Sequence, residues 1–252
     1  MPGNLKEAIK KLMLPDLKFK LHRPAGRLEK LGSSYGGWII PVDYLNGNSI
    51  CYMAGAGEDI SFDCEVAKRY RCEVVIFDPT PRSKAHFELV AEASRSMNVF
   101  PINNNSKEFY DLDKELFNNI RFCETGLWKK TDHIKFFSPK DTSHVSHSIA
   151  NLQQTEEYFM APVKRLSEIM YGNNHRKLDI LKLDIEGAEF EVIDSIAEDN
   201  VDIKILCVEF HLIENKGLQK IQLAIKKLEE NNFVALAREN FDFTFINKRY
   251  LH

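Results

Sequence analysis

Between residues 49 and 211 a short apolar run stops four times at a glycine, a proline or an acid, and helix-periodic sequence follows each stop. Ser49–Ala54 ends at Gly55-Ala56-Gly57 and gives way to residues 58–70, where Ile60, Phe62, Val66, Ala67 and Tyr70 recur near helical spacing. Glu73–Phe77 ends at Asp78-Pro79-Thr80-Pro81, whose prolines forbid further regular strand, and residues 82–96 read as helix. Asp179–Ile185 precedes a helix over Ala188–Ala197, and Ile203–His211 precedes a long one over Gly217–Asn231. Strands separated by helical crossovers imply an α/β fold, a parallel sheet with helices on both faces. Ile120–Leu127 and Ile134–Phe137 add two strands. Phe233–Ala237 and Phe241–Asn247 are too close for a crossover, so they predict an antiparallel hairpin at one edge.

Composition narrows the function classes. A chain of 252 residues that is 44% hydrophobic can bury a core without disulfides or a structural metal. Its 11% aromatic content and net charge of −3 argue against disorder and against a dedicated nucleic-acid binder. The richest apolar stretches are broken by Lys182, Asp184 and Lys204, so no membrane span is expected, and Met1–Leu14 lacks the apolar core of a signal peptide. Five cysteines without a C-x-x-C pair read as reduced thiols, which predicts a cytoplasmic protein.

The first 37 residues differ from the rest, with eight Lys or Arg against three acids and a helical pattern (Leu5, Ile9, Leu12, Met13) broken at Pro15. They are expected to form an N-terminal helical, basic extension, with Ser33–Gly37 as a flexible join and residues 38–252 as the main domain. A cap packed on the domain with a solvated basic face is favoured over an arm that meets an anionic partner. Residues 128–162 are too long for an ordinary connection and read as a substrate-side insertion, a lid or binding loop.

Gly55 and Gly57 let a ligand approach the backbone between strand and helix, although any such turn can require a glycine. The flanking charge discriminates between ligands. A pyrophosphate would meet Glu58 and Asp59, and Ile60 stands where a third dinucleotide-binding glycine belongs, which disfavours the rival reading of an NAD(P)-dependent oxidoreductase. The sulfonium and ammonium of S-adenosylmethionine suit those acids. Asp78 lies 23 residues after Gly55, at the next strand end, where a carboxylate can meet ribose hydroxyls; it can equally cap the proline turn.

Two further strands end in acids, at Asp184-Ile185-Glu186 and at Glu209-Phe210-His211. Period-two alternation places each pair on one side of its strand. If the strands are neighbours, acids and an imidazole converge at the carboxyl edge of the sheet. Structural roles compete with this: Glu186 capping the next helix, Glu209 pairing with a lysine. A non-catalytic nucleoside-binding module, the second rival, would keep the glycine turn but have no use for Asp184, Glu209 and His211 together.

At these residues the sequence resembles the FkbM-type family of S-adenosylmethionine-dependent methyltransferases. The matching stretches are Gly55–Asp63, Phe77–Pro81, Leu181–Glu189 and Val208–His211, with Gly126-Leu127-Trp128 and His147-Ser148-Ile149 between them. The resemblance runs from about residue 35 to about residue 250. One departure is Met53-Ala54 before the turn, in place of the usual small polar and aromatic residues. The resemblance implies a Rossmann-like, seven-stranded class I methyltransferase sheet. It also implies O-methylation of a hydroxyl on a sugar, nucleotide-activated sugars included, or on a related natural-product or polysaccharide precursor. S-adenosylmethionine is then expected at Gly55, Ala56, Gly57, Glu58 and Asp59, with Asp78 and Pro79 at the ribose, Glu124, Thr125 and Gly126 near the adenine, and Asp184 alongside. His144, His147, Ser148 and Glu186 are candidates for the acceptor side. Lys18, Lys20, Arg23, Arg27 and Arg82 could neutralise an acceptor diphosphate. For activation of the hydroxyl, either His211 is a general base or Asp184, Glu209 and His211 hold a divalent Mg, Mn or Fe, with the metal favoured.

Overall fold

The computed structural model describes residues 17–102, 107–137, 158–211 and 217–251. Its strands are β1 (Leu28–Leu31), β2 (Trp38–Pro41), β3 (Ile50–Ala54), β4 (Glu73–Phe77), β5 (Ile120–Cys123), β6 (Gly126–Leu127), β7 (Asp132–Phe137), β8 (Tyr158–Lys164), β9 (Leu178–Leu183), β10 (Ile203–Glu209), β11 (Phe233–Glu239) and β12 (Asp242–Asn247). Its helices are α1 (Ser61–Tyr70), α2 (Pro81–Ser96), α3 (Leu166–Gly172), α4 (Glu189–Glu198) and α5 (Gly217–Glu230).

Seven strands form one sheet in the order β11-β12-β10-β9-β3-β4-β5. From β10 to β5 every pairing is parallel, and β12 runs antiparallel between β10 and β11. This is the class I methyltransferase topology. Alternation along the strands divides the core into two layers. Tyr52 and Ala54 of β3 pack with α3, α4 and α5, whereas Cys51 and Met53 pack with α1 and with Leu31, Trp38 and Ile40 of the β1–β2 hairpin. The proline turn after β4 starts α2, with Pro81 in its first turn and the Thr80 side chain accepting from the Ser83 N–H.

Three local expectations change. Residues 120–127 are not one strand: the chain leaves the sheet after Cys123, whose carbonyl accepts from both Asp78 N and Thr125 N, and Gly126–Leu127 pairs with β8 instead. β6, β8 and β7 form a separate three-stranded sheet, so the insertion carries regular structure at both ends, and α3 follows it. His144, His147 and Ser148 lie outside the described residues, as does the helical pattern before Pro15.

The expected boundary at residue 37 falls within the β1–β2 hairpin, which pairs Leu31 with Trp38. Its turn, read from sequence as a flexible join, is a fixed one. Ser33 is buried, donates from its N–H to Ser61 Oγ and from its hydroxyl to Asp59, and accepts from Gly36 N. Residues 17–25 run along the edge strand β11, where Leu21 bridges Ala235 and the Phe19 ring meets Phe243 edge-on at 5.1 Å. Among the described residues no helix is long and apolar enough to cross a membrane.

Candidate active site at the carboxyl edge

The strand ends singled out by sequence come together at one edge. Gly55 has φ +85°, donates to Phe77 O, and packs so closely on β9 that a Cβ would stand 1.7 Å from Asp184 O. Only glycine fits this crossing of β3 and β9. Gly57 has φ +53° and nothing within 4 Å of where its Cβ would lie, so the turn is open on its outer side. Asp78 is buried and organises that turn. One carboxylate oxygen accepts from Ala56 N at 2.9 Å and Gly57 N at 3.3 Å, and the other accepts from the Thr80 N–H and hydroxyl. Of its two expected roles, these bonds show the capping of the proline turn. Pro79 lies against Gly126, which brings residues 124–126 beside the end of β4; Glu124 itself is ion-paired to Lys84 at 2.7 Å.

The acids of the turn face inward partners. Glu58 takes a bidentate pair from Arg82, at 2.6 and 2.9 Å, and Asp59 accepts from Ser33 Oγ and Ser61 N. Arg82 is therefore engaged by its own chain, and Arg27 likewise by Asp43 and Glu29.

The excess charge belongs instead to the ends of β9 and β10. Both strands stop short of the sequence reading, β9 at Leu183 and β10 at Glu209, so Glu209 is placed by its strand and Asp184, Glu186 and His211 by the loops that follow. His211 Nε2 lies 4.0 Å from Asp184, 3.6 Å from Glu186 and 3.7 Å from Glu209. Its Nδ1 meets the wholly buried Glu189 at 2.8 Å. Glu189 also accepts from Ile185 N and Gly187 N, so it, not Glu186, organises the start of α4; Glu186 itself adopts φ +51°, an uncommon conformation for a non-glycine. Burial alone would lower the His211 value, but the Glu189 bond and the charges of Glu189, Glu186 and Asp184 outweigh it and raise it to about 10. Burial and the charges of Asp184 and Asp242 push Glu209 up to about 8 against the pull of His211.

A carboxylate, a second carboxylate and an imidazole whose ligand atoms all lie within 4.8 Å of one another are a donor set suited to a divalent cation. The buried carboxylate on the far imidazole nitrogen is the usual companion of a metal-bound histidine. Sequence reasoning did not give Glu189 a role, although its place five residues after Asp184 is a weak hint of a helix-start acceptor.

A family model described as the methyltransferase FkbM domain matches residues 52–235, a span that holds the glycine turn and both acidic strand ends. The chain belongs to the FkbM methyltransferase family. Membership makes S-adenosylmethionine the methyl donor, and Gly57 leaves the turn open on its outer side. No curated protein matches the sequence. Solved structures similar to this FkbM chain include a putative methyltransferase from Thermoplasma acidophilum, at 10% identity over 91% of this chain and 84% of that one, TM-score 0.40. Another is precorrin-6y C5,15-methyltransferase from Geobacter metallireducens GS-15, at 11% identity over 80% and 82%, TM-score 0.39. A third is a Methanococcus jannaschii fibrillarin pre-rRNA processing protein, at 13% identity over 81% and 68%, TM-score 0.37.

Proposed function

We propose that this chain methylates a hydroxyl of a sugar or of a related natural-product or polysaccharide precursor. The supporting observation is the contact between donor turn and proton-accepting cluster: Asp184 packs on Gly55 through its backbone and turns its carboxylate toward Glu209 and His211. An alcohol is a weak nucleophile until its proton is being removed, so a hydroxyl acceptor needs such groups beside the donor. The donor, when bound, supplies an activated methyl group. The chain's own part is to hold the nucleoside with Gly55, Ala56, Gly57, Asp78 and Pro79, with residues 124–126 beside the adenine. Asp59 fixes the hairpin turn over the site, and Glu58 with Arg82 closes its rim. Glu186 stands with the cluster on the acceptor side.

In the protein alone Glu209 is pushed up by burial and by the neighbouring Asp184 and Asp242, and His211 by Glu189, Glu186 and Asp184, which outweigh its burial. Beside a bound positive charge both values fall, which frees Glu209 or His211 Nε2 to accept the hydroxyl proton, with Glu189 keeping the imidazole in place. A divalent Mg, Mn or Fe, where bound, would be held by Asp184, Glu209 and His211 and would supply Lewis acidity. Arg27 and Arg82 each hold an acid of their own chain, so a nucleotide-activated acceptor would have to compete with Asp43 and Glu58 for them.

Calorimetry and methyl-label transfer test this together. Wild type should bind the donor and its demethylated product, and Asp78→Ala should weaken both at least about tenfold. Labelled donor should deliver methyl to a member of a panel of sugars and nucleotide sugars, with activity lost on chelation and restored by metal. Binding without transfer to any hydroxyl acceptor sinks the O-methyl reading; full activity in chelator removes the metal and leaves the proton-acceptor role.

A further inference from the structure

Lys182 occupies the next-to-last position of β9, a strand buried along its whole length, and is itself only 3% exposed. A lysine there is costly unless its ammonium is held. Its Nζ donates to Gly55 O at 2.6 Å and stands 3.8 Å from Asp184 Oδ2. In the same buried layer Asp63 of α1 is fully enclosed, and neither of its carboxylate oxygens has a hydrogen-bond partner among the described residues. Gly55 is thus fixed by the Phe77 carbonyl on its N–H, by Asp184 against its Cα and by Lys182 on its carbonyl. Two of those three contacts come from the end of β9, so the glycine turn is registered to Asp184, not only to its own strand.

The charge has a second consequence. Asp184, Glu186, Glu189 and Glu209 surround His211, and Lys182 adds a fixed positive charge between that cluster and the turn. The methyl donor carries a sulfonium, whereas its product carries a neutral thioether. A fixed cation at this place weakens binding of the donor relative to the product, and so limits how far the acids favour the charged form.

We propose that Lys182 is a positioning residue for methyl transfer, one that ties the Gly55 carbonyl to the Asp184 end of β9 and sets the discrimination between cationic donor and neutral product. It rests on the reading that S-adenosylmethionine occupies the Gly55–Asp59 turn.

Kd values for S-adenosylmethionine and S-adenosylhomocysteine, measured by calorimetry at pH 8 on wild type, Lys182→Met, Lys182→Arg and Asp63→Asn, decide the matter. Lys182→Met should weaken both ligands through the lost Gly55 tie, but the product more, so that the ratio of product Kd to donor Kd rises about five- to tenfold. Lys182→Arg should keep the wild-type ratio. Asp63→Asn, which removes a buried negative charge, should move the ratio the opposite way, and it serves where Lys182→Met does not fold. Equal losses for both ligands in Lys182→Met, or an unmoved ratio in Asp63→Asn, overturn the charge role and leave a merely structural lysine. Wild type that binds neither ligand overturns the reading of the turn itself, and the role of Lys182 with it.

Discussion

The two edges of the central sheet are both rich in charge, yet they settle it in opposite ways. At the amino edge, the buried Asp179 at the start of β9 accepts from Lys204 Nζ at 2.5 Å, from Lys177 at 3.1 Å and from Ile50 N at 3.1 Å. Burial would raise its carboxyl, but these donors outweigh burial and hold it below the usual carboxylate range. Asp202 closes on Tyr250 and Arg249, and Glu73 on Arg121 and His175, in the same manner. At the carboxyl edge, Asp184, Glu186, Glu189, Glu209 and Asp242 share His211 and Lys182, and Glu209 and Asp242 are pushed up rather than down. Where opposite charges begin neighbouring strands, they neutralise one another and hold the fold. Where strand ends carry an excess of one sign, the charge is left uncancelled by the fold, and under the proposed function this edge is the working one.

The contrast breaks most visibly through activity. Glu209→Gln should lower turnover by about 10²- to 10⁴-fold, the range for loss of a positioned proton-transfer group. Because the Glu209 carboxyl is already pushed up to about 8, the neutral glutamine should leave the thermal unfolding midpoint near neutral pH level with wild type. A lowered midpoint with turnover intact would assign the carboxyl edge the same structural role as the amino edge.

Asp179→Ala is the mirror experiment. It leaves the Ile50 N–H unpaired and the largely enclosed Lys204 ammonium with only the Tyr44 carbonyl, and should cost about 3–5 kcal/mol of unfolding free energy in urea titrations. Turnover per folded molecule should stay near that of wild type. A stable variant that has lost activity would contradict the division between the edges.

The smallest effect sharpens the comparison through pH. Burial lifts the Asp63 carboxyl to about 6, against the pull of Lys182 and with the charges of Asp59 and Asp184. A folded value above the ordinary one, near 4, means that the folded state prefers the protonated acid. The contribution of Asp63 to stability is therefore fully present below about pH 4 and is lost as pH rises through about 6, by on the order of 2–3 kcal/mol. In Asp63→Asn that leg of the stability profile should flatten; an unchanged slope would place the titration elsewhere.

The signals legible in sequence were those that a single strand end carries by itself. The Gly55–Gly57 turn, the Asp78-Pro79 stop and the acids after β9 and β10 are local, because turn sterics and the position of a carboxylate at a strand end need no distant partner. The alternation of apolar runs and helical periods gave the parallel sheet and its final hairpin for the same reason. Short segments whose pattern depends on a distant element were not legible: the β1–β2 hairpin, β8 and α3.

Partnership was beyond the sequence altogether. Ser33–Gly37 has the composition of a linker, and Asp59, Ser61 and Glu108, distant in the chain, make it a fixed turn. That Glu58 holds Arg82 of α2 with both of its oxygens could not be read from the sequence. Lys182 and Asp63 sit 119 residues apart in the chain and share one buried layer, and His211 owes its raised value to Glu189 across the β9–α4 turn. Sequence by itself determined which residues stand at the strand ends and hence the fold and the donor turn. The tertiary structure alone decided which of their charges are cancelled, because electrostatic energy depends on the distance and burial of groups that the chain order does not bring together.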